Sequence, residues 1–333
     1  MIKSLEFLRI TAAIFVVLCH LPEFSGINIF KGSPFNGAIG VDIFFIISGI
    51  VIGITTSKPL SKANREWQKF LVRRIFRVFP LYILVTIAYI IATGSMNSYS
   101  IEQLLLSLFL IPTYSEGIAN DPIVYLGWTL RFEMFFYIAT AISLRFQRLC
   151  TVLSFILFSA IFSNYFWDFY FGELIILKFL IGFIIGKNIH IVEKFSNNIR
   201  SSSKYSLLVF STSILMALST GSDSTSTGSV LRMSIDFHGV LINRVLLWGL
   251  ASAFFVVSVL LLENLLKWKL AFLGKYTYSV YLLQVIAIPL SNSIYPFENG
   301  FHSLFMLIAI LSVMCYLSFH FIEEPINRLA KRF

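Results

Sequence analysis

The chain has 333 residues, 57% of them hydrophobic, 16% aromatic and only 13% charged, with a mean hydropathy of +0.81. That balance excludes a soluble domain and leaves a polytopic helical membrane protein. The net charge of +9 calls for no nucleic-acid partner, because basic loops beside anionic lipid account for it.

In chain order, the first apolar run is Leu5 to Leu21, LEFLRITAAIFVVLCHL, long enough with its flanks to cross a bilayer. Lys3 precedes it as in a signal peptide, but no small-x-small cleavage pattern follows and Arg9 interrupts it, so we read an uncleaved helix. Arg9 and His20 stand eleven residues apart in this run. At about 100° per residue they share one face, separated by about 16 Å of rise. Ionisable groups in hydrocarbon are costly and normally face a polar cavity or mark a functional pathway. The plainer reading is an interfacial arginine and a histidine hydrogen-bonded to another helix. Cys19 adjoins His20 but points about 100° away, which argues against a Cys–His nucleophile pair. Cys19, Cys150 and Cys315 are scattered among apolar runs, which argues against disulfides and a metal site.

Further apolar helices are predicted at 38–56, 78–93, 127–144, 149–165, 171–187, 205–220, 240–262, 276–293 and 302–321. The expected fold is an all-α membrane bundle of about ten transmembrane helices in one domain over residues 1–333. Ile101 to Pro112 is shorter and is read as a re-entrant or interfacial helix. With that reading, both termini are cytoplasmic and the inner segments collect most of the Lys and Arg, including those from Lys58 to Arg77. Counting 101–112 as a full span would invert every later helix. NYFWDFYF at 164–171 suits the aromatic belt at the outer boundary, and Ser219–Ser229 reads as an exposed outer loop. Gly49/Gly53 and Gly182/Gly186 are GxxxG pairs, read as close helix packing. No internal repeat is evident, which weakens a transporter built from duplicated halves.

Other polar residues stand out against this background. Arg73, Arg74 and Arg77 cluster at the inner end of the third span, with Arg74 and Arg77 on one helix face. An ordinary positive-inside flank explains them equally. Glu133 and Tyr137 form an i, i+4 pair; Glu133 either serves His20 or a ligand, or pairs with Arg9, Arg131 or Arg244. Asp42 either hydrogen-bonds a ligand or caps the second span. Ser48 reads as packing or hydrogen bonding, and Lys178 and Glu173 as snorkelling to polar layers. His190, His238 and His302 fall in loops or at helix starts, and His320 near a membrane boundary.

Four segments together resemble the acyltransferase-3 family of integral membrane acyltransferases. They are LRITAAIFVVLCH with its Arg-x10-His spacing, GVDIFFIISG at Gly40–Gly49, FLVRRIFRVFPLY at Phe70–Tyr82, and WTLRFEMFFY at Trp128–Tyr137. LGKYTYSVYLLQ at Leu273–Gln284 and FIEEPINR at Phe321–Arg328 match the family's closing pattern. Gln284 stands where the family often has His and cannot act as a general base. Arg131 places a cation where smaller or apolar residues are commoner.

The resemblance implies transfer of an acyl group, usually acetyl, from coenzyme A to a hydroxyl of a cell-surface or exported glycan, free or lipid-linked, as in exopolysaccharide or lipopolysaccharide O-acetylation. It places the chain in a bacterial inner membrane, in contact with lipid. Acyl-CoA enters as donor substrate, and no bound cofactor or metal is implied. His20 is the candidate general base, since an apolar setting favours the uncharged imidazole that a base requires. Glu133 is the second catalytic candidate. Arg9, Arg73, Arg74 and Arg77 are candidates for the donor's phosphates, which guanidinium groups grip in a bidentate way. Asp42, Ser48, Trp128 and Tyr137 are candidates for acceptor contact or structural support. The competing class is a transporter or flippase for lipid-linked sugars or acidic metabolites that uses Arg9, Arg131 and His20 as pathway charges.

Overall fold

The apolar runs become helices in the computed structural model, which describes residues 2–25, 37–57, 66–115, 118–167, 169–219, 234–237, 240–294 and 301–332. In chain order the α-helices are α1 (Lys3–Ser25), α2 (Ile39–Thr55), α3 (Glu66–Thr93), α4 (Ile101–Leu108), α5 (Gly127–Arg145), α6 (Leu149–Trp167), α7 (Ile176–Lys187), α8 (Ile189–Asn198), α9 (Ser201–Ser219), α10 (Arg244–Leu260), α11 (Thr277–Ile294), α12 (Phe301–Ser318) and α13 (Glu324–Ala330). Two short antiparallel hairpins interrupt them: β1 (Thr113–Ser115) with β2 (Ile118–Asn120), and β3 (Ser234–Phe237) with β4 (Val240–Asn243). Among the described residues, five helical segments are long and apolar enough to cross a membrane: Lys3–Leu21, Glu66–Thr93, Leu149–Trp167, Lys269–Ile294 and His302–Ala330.

Several expected boundaries move, among them the helix expected from 205, which begins at Ser201. The third helix starts at Glu66 rather than 78, because its first turns carry Lys and Arg that an apolar window passes over. The helix expected from 171 begins at Ile176, after a 3-10 turn at Tyr170–Gly172. Residues 240–243 pair as a strand, so the helix expected from 240 begins at Arg244. The expected loop at Ser219–Ser229 lies, after Ser219, outside the described residues.

The chain packs as two units, each interleaved in sequence: residues 1–19, 29–60 and 173–277 form one, and 20–28, 61–172 and 278–333 the other. The core of the first is built from Leu8 and Ala12 of α1, Ile43, Ile46 and Ile50 of α2, Leu215 of α9, and Trp248 and Val256 of α10. Here α2 and α7 run in close contact. Gly49 and Gly53 lie against the backbone at Phe179–Lys187, and Gly182 and Gly186 against the backbone at Ile46 and Ile50. A Cβ on Gly182 would fall on the carbonyl oxygen of Ile46. The GxxxG pairs are therefore the contact face of these two helices. At the end of this pair Lys187 Nζ donates to the carbonyl of Thr56 at 2.8 Å. The first turn of α1 is capped from far along the chain. The Glu263 carboxylate accepts from the backbone N–H groups of Lys3 and Ser4 at 2.9 and 2.8 Å, two of the donors a helix start leaves open.

In the second unit α3 packs on α5 and α13, and α5 on α6. The short helix α4 has a reciprocal cap: Gln103 N–H donates to Ser100 Oγ at 3.1 Å, and Ser100 N–H to Gln103 Oε1 at 3.0 Å. The buried Tyr82 hydroxyl ties α3 to this segment by donating to the Ser107 carbonyl at 3.1 Å. A π-helical turn, Phe319–Glu323, joins α12 to α13. Pro325 follows it and cannot donate to the carbonyl of Phe321, which loosens the regular ladder at this point.

Candidate functional site

The second unit gathers several of the sequence-derived candidates around α5. His20, half-buried near the end of α1, lies edge-on to the Tyr125 ring with centroids 5.1 Å apart. On α5 itself the Tyr137 hydroxyl donates to Glu133 one helical turn away. The i, i+4 spacing seen in the sequence is thus a direct hydrogen bond. From α3, the Arg74 guanidinium sits 4.9 Å from the centroid of the buried Tyr137 ring and 5.3 Å from that of Phe70, a cation–π arrangement. Arg77 also acts electrostatically on Tyr137. Arg73 is exposed, whereas Arg74 and Arg77 are half-buried, so the three neighbouring arginines divide between two surroundings.

From α11, Tyr278 and Tyr281 are both within electrostatic range of Glu133. The Tyr278 hydroxyl donates to the Val78 carbonyl at 2.6 Å. The Tyr281 hydroxyl shares a hydrogen bond with Thr129 at 2.6 Å and donates to the Leu126 carbonyl at 3.0 Å. Neither tyrosine stood out in the sequence, although both fall in the closing motif LGKYTYSVYLLQ.

The remaining candidates have other surroundings. Trp128 is buried against Phe132, with centroids 6.3 Å apart. Arg131 is 2% exposed, and its two terminal nitrogens donate to the carbonyls of Asn120 at 2.7 Å and Ile111 at 3.2 Å. Its guanidinium also lies 5.5 Å from the Tyr170 ring centroid. Arg131 is thus a tie between α5 and the segment around β1 and β2. That removes it from the pathway charges a transporter reading had assigned to it. Burial pushes the Tyr170 phenol up to about 12, with the neighbouring Arg131 acting in the opposite direction.

In the first unit Arg9 pairs with Glu6, Nη1 to Oε1 at 3.3 Å, on the same face of α1. Asp42 forms an ion pair with Lys178, and both side chains are 4% exposed. Lys178 is therefore buried rather than snorkelling. Asp42 lies inside the first turn of α2, beyond the cap position at Ala38, and makes no cap. Ser48 is half-buried on α2. Among the described residues, no group of three or more His, Cys, Asp or Glu gathers as metal ligands.

The family model of the acyltransferase domain, acyltransferase-3, matches residues 2–321. The chain belongs to the acyltransferase-3 family. The exopolysaccharide production protein ExoZ of Rhizobium meliloti is 33% identical over 119 residues, 34% of this chain and 36% of that protein. The "Putative peptidoglycan O-acetyltransferase YrhL" of Bacillus subtilis is 25% identical over 369 aligned positions, 98% of this chain and 55% of that protein. "Protein 2 in picA locus" of Rhizobium radiobacter is 34% identical over 80 residues, 24% of this chain and 39% of that protein. This acyltransferase-3 chain thus spans about half or less of the length of the curated relatives it matches. No solved structure matches it.

Proposed function

We propose that this integral membrane protein is an O-acyltransferase that moves an acyl group, acetyl in the first place, from acyl-CoA to a hydroxyl of a cell-surface or exported glycan, free or lipid-linked. Family membership supports the chemistry, and the names of the exopolysaccharide and peptidoglycan relatives support a glycan acceptor. The observation that carries the reading lies in the second unit. His20 rests on Tyr125 at one level of the chain leading into α5, and Arg74 rests on Tyr137, twelve residues on. From Gly127, where α5 begins, the helical rise to Tyr137 is roughly 15 Å. That spacing suits a donor whose phosphates rest on Arg74 and Arg77 while its extended pantetheine arm brings the thioester toward His20.

In this reading the His20 imidazole takes the proton of the acceptor hydroxyl as that oxygen attacks the thioester carbonyl. The tetrahedral adduct then breaks its C–S bond, and the leaving thiolate of coenzyme A recovers the proton from the imidazolium. Glu133 acts through Tyr137, holding the ring on which Arg74 rests. Exposed Arg73 adds charge at the same end of α3. Asp42, Ser48 and Trp128 support the fold. The chain forms one membrane-embedded domain over 1–333 that crosses a bacterial inner membrane about ten times, with both termini cytoplasmic and α4 interfacial. The distribution of Lys and Arg supports that orientation.

The test uses purified wild type and His20→Ala, with thermal stabilisation by acetyl-CoA and release of free thiol on adding oligosaccharide acceptors. Donor binding by both proteins with thiol release only by wild type is the expected result. Folded wild type that neither binds nor turns over the thioester refutes the proposal.

A further inference from the structure

Glu323 is a buried carboxylate at the end of the π-helical turn, and the mechanism above makes no use of it. A carboxylate in such a place needs hydrogen bonds to offset its lost hydration. The Ser279 hydroxyl supplies one, with Ser318 Oγ 3.3 Å from the same hydroxyl. Ser279 is fully buried at the start of α11, and its neighbour Tyr278 donates to the carbonyl of Val78 at 2.6 Å. Val78 directly follows Arg77 on α3. Two adjacent residues of α11 therefore reach in two directions: Ser279 to the π turn, and Tyr278 to the backbone beside the arginine pair. The packing of α3 against both the π turn and α13 keeps these groups together. Glu133, Glu323 and Arg77 all lie within electrostatic range of the Tyr278 hydroxyl.

We propose that Glu323, Ser279 and Tyr278 form a clamp that fixes the backbone at Arg77 and so positions the Arg77 guanidinium, beside Arg74, for an anionic, phosphate-bearing donor. π-Helical turns recur at functional sites because they re-aim a side chain within an otherwise regular helix. Here the turn directs Glu323 inward to Ser279. Tyr278 and Glu323 are positioning residues: they act through Arg77 and touch no reacting atom. The inference rests on the reading of Arg74 and Arg77 as the donor's anion site.

The test is a double-mutant cycle of Tyr278→Phe with Arg77→Lys in the full chain. It reads KM for acetyl-CoA, kcat for thiol release and the melting temperature without ligand. Loss of one positioning hydrogen bond should raise KM about three- to tenfold, with kcat within about twofold. The double variant should bind acetyl-CoA little worse than Arg77→Lys alone, because the clamp works only through that residue. Ser279→Ala, which removes the hydroxyl donor from Glu323 and leaves Tyr278 in place, is the second variant and should raise the same KM. Unchanged KM in both, or multiplicative effects of Tyr278→Phe and Arg77→Lys, overturns the clamp while leaving the acyltransferase reading intact. Folded wild type that binds no acetyl-CoA overturns both.

Discussion

The buried Asp42–Lys178 pair lends itself to a sharp perturbation. Asp42→Asn keeps the size of the side chain and removes its charge, leaving the Lys178 ammonium in a site where both side chains are 4% exposed. At an effective dielectric of about 20, opposite charges about 4 Å apart attract by about 4 kcal/mol. Removal of one partner from a buried pair typically costs about 3–5 kcal/mol. We therefore expect Asp42→Asn to lose about that much stability. Replacing both partners should restore most of it, because no charge is then left to hydrate. Lys178→Met suits this purpose, since the lysine stem packs beside Gly249, and methionine keeps an unbranched stem there. The assay is unfolding of purified protein in mixed micelles, followed by fluorescence, for wild type, both single variants and Asp42→Asn/Lys178→Met. Wild-type stability in Asp42→Asn, or a double variant as unstable as that single one, would refute the reasoning. Thiol release in the double variant separates the two roles weighed for Asp42. A refolded double variant with wild-type turnover makes the aspartate a structural partner, whereas a stable but inactive one gives it a part in acceptor binding.

Gly182→Ala should cost about 1–3 kcal/mol, because its Cβ would meet the Ile46 carbonyl and only a shift of α2 or α7 relieves that contact. Gly249→Ala should cost less, since its Cβ would first meet flexible methylenes of Lys178, 3.2 Å from the nearest; melting temperatures compare the two. Arg131→Met should cost about 2 kcal/mol or more by leaving the Asn120 and Ile111 carbonyls without their charged donor, and hydrogen exchange should rise across β1 and β2. Glu263→Ala should cost about 1 kcal/mol by uncapping α1, with faster exchange confined to its first turn.

The helices were legible because hydrocarbon imposes a long, nearly uncharged run, and such runs are conspicuous between basic loops. Their ends were less so. Glu66–Phe76 is helical yet carries three basic residues, because exposed Lys and Arg leave a helix intact while lowering its hydropathy. Val240–Asn243 is as apolar as the helix that follows it, and pairing with Ser234–Phe237, which no window over one segment detects, makes it a strand. Within the candidate site, Tyr137–Glu133 could be read from spacing alone, since i, i+4 residues meet on any helix. Tyr125 beside His20, Tyr278 beside Val78, and Lys178 beside Asp42 join residues a hundred or more positions apart. Only the packing of helices brings such pairs together, and one sequence holds no record of it.

In a membrane each polar side chain calls for an account, and here the accounts divide the candidates. Asp42 is held by Lys178, Arg9 pairs with Glu6, and the Arg131 guanidinium is bound to two carbonyls. Each of these charges already has a partner that offsets its removal from water, so its presence demands no further function. Arg74 is different, since the groups it faces are aromatic faces, those of Phe70 and Tyr137. The terminal nitrogens are the edge that grips an anion, and in Arg131 both are given to carbonyls. The same argument that retires Arg131 from the functional list thus retains Arg74 as a place where an incoming phosphate gains.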